Sequence, residues 1–288
     1  MRRVGIFATV GLTLAHGACT SSSKTVLATG GATGSGGADA SSDAGGSGGA
    51  SGSGGTALSY EGMVVSDGPS LYWRELTGLG SVGDVSPKRN DGNYSGCVEP
   101  SVASAGPTIR LCGGYLYGAD IFDFADKAPF TFEAWIKPER VQLSEFARIA
   151  GKENPVPEPR QGWNLILIGW QQDGGTAALA FERWYVADAS PTRTGVVLDN
   201  PSISSDSFTH VVVTYDSTTC RVYLNGVWAA EALSQASVPD TTSTFRVGAD
   251  SLGGHTWIGE IDEVAVYEKA LLPARIAAHY DRGRTEGY

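Results

Sequence analysis

Positive charge is what this sequence has least of. Lys and Arg number 21 against 31 Asp and Glu, giving a formal net charge of −10 at pH 7, and the cations form no cluster. A chain of that kind neither neutralises a nucleic-acid backbone nor adheres to an anionic membrane surface. Catalytic signatures are missing as well. There is no Gly-x-Ser-x-Gly elbow and no helix-borne His-Glu pair. No Asp-x-Asp-x-Asp-Gly calcium loop occurs, and the glycines at 248–254 read as turns, not as a phosphate cradle. Cysteine is scarce, with four residues at 19, 97, 112 and 220. Helical spacing is confined to one segment near the C-terminus. What the chain does have is apolar content ordinary for a globular core, 41% of residues.

The first residues read as an export signal. Met1-Arg2-Arg3 is a positive start, and Val4 to Ala15 is an apolar run of twelve residues, too short to cross a bilayer as a helix. Ala15-His16-Gly17-Ala18-Cys19 then resembles a bacterial lipoprotein signal, in which Cys19 is lipidated after cleavage, although His16 stands where such signals usually carry Leu. Ordinary cleavage after Gly17 or Ala18 is the alternative. The protein is therefore expected outside the cytoplasm, as an outer-membrane or cell-surface lipoprotein or as a secreted protein. Its only membrane contact would be the lipid at Cys19. Residues 19–57 are Ser, Gly, Ala, Thr and Asp with almost nothing that could pack, which reads as a flexible tether. About 36 such residues span roughly 30–35 Å on average. The folded domain is expected over 58–288.

That domain reads as all-β. Phe208-Thr-His-Val-Val-Val-Thr-Tyr-Asp216 and Cys220-Arg-Val-Tyr-Leu-Asn-Gly-Val-Trp228 form a meander, alternating at the period of a pleated strand. Asn225-Gly226 calls for a type I′ hairpin turn. Phe130-Thr-Phe-Glu-Ala-Trp-Ile-Lys137 is a further strand ended by Pro138, and Trp163 to Trp170 and Ala177 to Tyr185 flank a turn at Gln171-Gln-Asp-Gly-Gly175. Val196 to Leu198 suggests an edge strand. Pro273 opens one helix, with Leu272, Ile276 and Tyr280 at helical spacing and Gly283 expected to stop it. More than ten short strands and a single late helix predict a sandwich of two antiparallel sheets. Cys97 and Cys112 lie near the ends of two strands, and a bridge between them would contribute about 3 kcal/mol in the chain-entropy model. Cys220 shares a face with Val222 and Leu224, so a buried thiol is expected.

Five segments in order resemble the concanavalin A-like, laminin G-like jelly-roll domains. They are Tyr72-Trp-Arg74 with Asn90-Asp-Gly-Asn-Tyr94, the Phe130 strand, the His210 meander, Gly259-Glu-Ile-Asp-Glu-Val-Ala-Val-Tyr267, and Leu271 to Tyr280. The resemblance runs from about Ser59 to Tyr288 and implies a jelly-roll sandwich of two curved antiparallel sheets with one short C-terminal helix. It also allows a calcium ion, for which Asp123, Asp250 and Asp262 are candidates by residue type. Leu111-Cys112-Gly113 stands where such domains often have Phe-Asp-Gly, which removes one carboxylate from that possibility.

Glucanases of the same superfamily carry Glu-x-Asp-x-Glu on one strand. Here Glu260 and Asp262 keep the spacing, but Val264 replaces the last acid, and alternation puts Glu263 on the opposite face. Ile261 and Val264 can both reach the core only if Asp262-Glu263 forms a bulge. Aromatic side chains are the better lead. Trp163, Trp170, Trp184 and Tyr185 cluster on two strands, with His255 and Trp257 in a later loop, and exposed rings on a concave sheet can stack on sugars. For any one ring the competing assignment is the sandwich core. The expectation is a surface-tethered, non-catalytic module recognising a polysaccharide or a cell-surface protein. The alternatives are a glycosidase using Glu260 or Glu263, and a structural adhesion protein.

Overall fold

The computed structural model describes residues 58–74, 76–140, 142, 144–154, 159–169 and 178–288. The expected signal, the tether with Cys19, and Trp170 with the turn that follows it lie outside the described residues.

The chain opens with α1 (Tyr60–Ser66), β1 (Leu71–Trp73), β2 (Ser81–Val82), β3 (Gly92–Ser95), β4 (Val98–Ala103), β5 (Gly106–Cys112) and β6 (Tyr115–Tyr117). The middle supplies β7 (Phe130–Pro138), β8 (Phe146–Glu153), β9 (Gly162–Ile168), β10 (Ala178–Ala187) and β11 (Ser190–Asp199). The last third contains β12 (Thr209–Tyr215), β13 (Thr219–Leu224), β14 (Val227–Leu233), β15 (Arg246–Val247), β16 (Ile258–Tyr267) and α2 (Pro273–Glu286). They form two antiparallel sheets. The first runs β14-β13-β12-β7-β16-β5-β4, with β1 paired to β16; the second runs β11-β10-β9-β8-β15-β6-β3-β2. This is the expected jelly-roll sandwich.

Alternation explains the core. Val211, Val213 and Tyr215 of β12 face inward with Phe130, Phe132 and Ala134 of β7, against Leu165, Leu167, Leu179 and Phe181 of the second sheet. The central strands of the first sheet are also covered on their other face. Trp135, Val212, Tyr223 and Tyr267 pack there beneath Tyr60 and Val64 of α1 and Ile276 of α2. Burial of both faces is why β7 and β12 read as almost continuous apolar runs. The meander turns as expected, since Asn225 and Gly226 both take positive φ, 50° and 76°.

Two features of the helices differ from expectation. A second helix, α1, precedes the strands; Ser59 caps it by accepting from the Gly62 amide at 3.0 Å. Seven residues with Gly62 inside are too few to display a helical period. Gly283 does not end α2 but lies within it, and Gly287, at φ 117°, closes the helix. Gly283 is there for packing: a Cβ on it would lie 2.4 Å from Cζ2 of Trp135.

Cys97 and Cys112 form a disulfide joining the approach to β4 with the end of β5. Cys220 is a buried free thiol, and burial pushes it up to about 11.

Candidate functional site

The second sheet keeps part of its outer face open, and there a cavity of about 420 Å³ is formed by β8, β9, β10 and β11 together with the 250–255 loop. This is within the ~300–1,000 Å³ range of small-molecule sites. Its wall combines Ile166 and Ile168 of β9 and Glu182 and Trp184 of β10 with Arg193 of β11. Each pair on one strand is two residues apart and so shares a face. Trp184 stands directly opposite Arg193 in the β10–β11 register.

On β8 the alternation needs help. Arg148 and Glu153 are five residues apart, an odd number that would place them on opposite faces. The register shifts between Arg148 and Ala150, so the β-bulge brings both to the cavity, while Ala147, Ile149 and Ala150 fill the core. The Arg148 backbone amide donates to the His255 carbonyl at 2.8 Å, which fastens the 250–255 loop to the rim.

Glu153 accepts from Arg148 Nε and Arg160 Nε at 2.8 Å each and from Asn164 Nδ2 at 3.0 Å. Glu182 accepts from Trp184 Nε1 at 3.0 Å and pairs with Arg193 at 2.5 Å. The Arg160 guanidinium lies over the Trp184 ring, 4.1 Å from its centroid. Asp250 pairs with His255 Nδ1 at 2.6 Å and accepts from the backbone amides of Leu252 and Gly254. Burial works against its charge, but His255 and those amides outweigh burial and hold the carboxyl below its usual range.

Of the residues singled out from sequence, Trp184 and His255 line this cavity, as does Asp250. Trp163 and Trp257 do not face a ligand: both are in the core, 1% and 0% exposed. Strand alternation turns Trp163 inward, where its Nε1 donates to the Phe122 carbonyl at 2.8 Å. Tyr185 follows Trp184 on β10 and so takes the other face; it is half-buried and outside the cavity lining. Arg148, Glu153, Arg160, Glu182 and Arg193 had not been singled out, because charged residues on alternating strands are the ordinary dress of a solvated face.

The three aspartates considered for calcium do not converge. Asp123 is bound by the Lys152 ammonium and by the Thr241 amide at 2.7 Å. Asp262 lies on the first sheet and is bound by the Tyr288 hydroxyl. Among the described residues the one group of three His, Cys, Asp or Glu donor atoms within 4.8 Å is Cys97, Glu99 and Cys112, whose cysteines are already bonded to each other. These donors do not fit calcium.

The acidic run on β16 lies apart from the cavity. A bulge between Asp262 and Ala265 lets both Ile261 and Val264 enter the core, as their spacing requires. It also overturns the expectation that Glu263 faces away from Asp262, since the Tyr288 hydroxyl contacts both carboxylates. Tyr72 donates to Glu263, and Arg74 approaches it at 3.4 Å. Burial, and for Glu263 the neighbouring Asp262 charge, raises both carboxyls. Glu260 is paired with Lys137 at 2.5 Å. None of these acids lines the cavity.

A further buried polar network sits under the helices. Glu133 of β7, fully buried, accepts from the Tyr60 hydroxyl at 2.9 Å, His210 Nε2 at 2.8 Å, His279 Nδ1 at 3.0 Å and the Tyr267 hydroxyl at 3.0 Å. Burial alone would raise its carboxyl, but His279 and His210 hold it well below the usual carboxylate range. Every partner comes from a different element, so the network fixes how the helices sit on the sheet.

Similar solved structures share this architecture. The binding domain of the paraclostridial mosquitocidal protein 1 superposes with TM-score 0.58 at 16% identity, over 75% of this chain and 52% of that one. Domain 4 of AbnA, an extracellular arabinanase of Geobacillus stearothermophilus solved with arabinotriose, gives 0.52 at 17% identity, over 74% of this chain and 98% of that one. The ligand-binding domain of botulinum neurotoxin serotype D, solved with N-acetylneuraminic acid, gives 0.54 at 14% identity, over 75% and 51%. The chain spans about half the length of the toxin binding domains it matches. At these identities the likeness is one of fold. No curated protein sequence matches the chain significantly. The Laminin_G_3 model, described as concanavalin A-like lectin/glucanases superfamily, matches residues 113–277, and the chain belongs to that family.

Proposed function

We propose that this domain is a non-catalytic binding module, carried outside the cytoplasm on a flexible tether, that holds a saccharide in the cavity on the open face of the second sheet. The observation that carries the reading is the cavity wall. Arginine, glutamate, a histidine and an indole line one concavity over an apolar floor of Ile166 and Ile168. Sugars present that combination of directional hydroxyls and apolar C–H faces. Two of the similar structures are complexes with saccharides, which supports the ligand class. The export signal and tether read from residues 1–57 support presentation at or beyond the cell surface, with Cys19 as the anchoring position. Binding in this reading uses no metal.

A glycan array with and without EDTA tests it, together with Trp184→Ala. The expected result is a defined set of bound glycans, unchanged by EDTA, with affinity falling at least tenfold in Trp184→Ala. An empty array, or binding indifferent to Trp184, overturns it.

One observation favours a second reading, a glycosidase. Glu153 and Glu182 both line the cavity. Retaining enzymes need two carboxyl groups about 5–5.5 Å apart, one of them acting as an acid. Here each carboxylate is bound by guanidinium groups, which suits a structural role. Turnover of a bound glycan that disappears in Glu182→Gln would establish the enzyme.

A further inference from the structure

Glu153 grips two arginines at once and leaves each with a donor to offer. It takes Arg148 through Nε at Oε1 and Arg160 through Nε at Oε2, both at 2.8 Å. Arg148 Nη1 and Arg160 Nη2 are then buried with no hydrogen-bond partner among the described residues. Arg148 as a whole is 5% exposed, and both arginines line the cavity. Glu182 Oε2 stands 3.8 Å from Arg160 Nη2, beyond hydrogen-bond reach. A buried guanidinium cannot shed its proton to relieve a missing acceptor, and orphaned buried donors are rare in folded proteins. Two cavity-lining arginines that each carry such a donor point to an acceptor that arrives from outside, met by a small turn of each guanidinium.

The charge pattern says what kind. Over the whole lining, Arg148, Arg160 and Arg193 face Glu153, Glu182 and Asp250, so the wall is balanced. The balance is uneven in space. Arg193 answers Glu182, and Asp250 is turned into its own loop and onto His255. That leaves two guanidinium groups around the single carboxylate of Glu153, a local excess of one positive charge. Trp184 holds the Arg160 plane in place from below. The indole is thus a shelf for a guanidinium on that side, not a free stacking surface. Planar guanidinium groups with spare N–H donors match a planar carboxylate better than they match a lone hydroxyl.

Resting on the saccharide reading above, we infer that the ligand is an acidic sugar of the uronic-acid type, whose carboxylate docks between Arg148 and Arg160. The ring would lie along Ile166 and Ile168, with Glu182 and Arg193 available to its hydroxyls. Glu153 is a positioning residue: it orients both arginines and need not touch the ligand.

The test uses a panel of uronic-acid oligosaccharides, each paired with its carboxyl-reduced neutral counterpart, plus sulfate esters of the neutral sugars. Titration calorimetry on the wild-type protein should show at least one acidic member binding ten times or more tighter than its reduced partner. Arg160→Gln should bring that ratio close to one. Arg148→Gln should do the same, and circular dichroism checks its fold; Arg160, more exposed, keeps the test valid if Arg148→Gln unfolds. Equal binding of acidic and reduced partners overturns the inference while leaving the saccharide reading intact. A ratio that survives Arg160→Gln, or a preference for sulfate esters over carboxylates, also overturns it. No binding to any sugar removes both this inference and the reading beneath it.

Discussion

His279 of α2 and Glu133 of β7 are 146 residues apart in sequence and 3.0 Å apart in the fold. Burial works against a charged imidazole, but the Glu133 carboxylate, with help from Asp67, outweighs it and raises His279 above its ordinary value. His279 Nε2 meets Asp67 at 2.9 Å, so one ring ties the sheet to the residue at the C-terminal end of α1.

The sign of the pH effect follows from the two shifts. Glu133 is lowered on folding, so its contribution is present above the ordinary glutamate value and lost as pH falls below it. His279 is raised, so its contribution is full below the ordinary histidine value and lost as pH rises through the folded one. The contribution of this pair should therefore peak between about pH 4.5 and 6.5. His279→Gln should cost about 3 kcal/mol in that window, the scale of a broken buried ion pair. Urea titrations across pH should show the alkaline decline flattened in the variant.

Glu263 tests a separate alkaline loss. A carboxyl raised on folding stabilises below its unfolded value and ceases to do so as pH rises through the folded one. Glu263→Gln should leave stability near pH 5 little changed and should be more stable than wild type at pH 9. Equal urea midpoints at pH 9 would show that the Asp262–Glu263 pair carries no such strain.

Of the two strand bulges, the one in β16 was legible in sequence and the one in β8 was not. The bulge at Asp262-Glu263 could be anticipated because Ile261 and Val264 cannot otherwise share the core. The bulge in β8 could not, because nothing in Phe146-Ala-Arg-Ile-Ala-Gly-Lys-Glu153 says which of Ile149 and Ala150 is extra. Since that bulge puts Arg148 beside Glu153, the centre of the candidate site was hidden with it. The sandwich itself was readable from alternation and from Asn225-Gly226. The rings misled where position mattered more than type: Trp163 and Trp184 read alike in sequence and face opposite sides of one sheet.

That contrast is measurable. Trp163→Ala should lower stability by about 3–5 kcal/mol through the void it leaves, seen as a large drop in urea midpoint. Trp184→Ala should change the midpoint far less, since the indole is half-buried on the open face, while lowering glycan affinity at least tenfold.

Reducing the Cys97–Cys112 bridge should cost about 3 kcal/mol for its 15-residue separation. Cys220 should stay inert to a thiol reagent until the protein unfolds, given its burial. A Cys220 labelled as fast as a free thiol would contradict the packing around it.

The central strands of one sheet are hidden on both sides, and the other sheet has a side left partly bare. Along β9 and β10 alternate side chains turn to the interior, while Ile166, Ile168, Glu182 and Trp184 between them, with Arg193 of β11, line the cavity. Replacing Ile166, Ile168, Trp184 or Arg193 would thus redirect recognition while sparing Leu165, Leu167 and Phe181. The scaffold can change its taste without relearning how to fold.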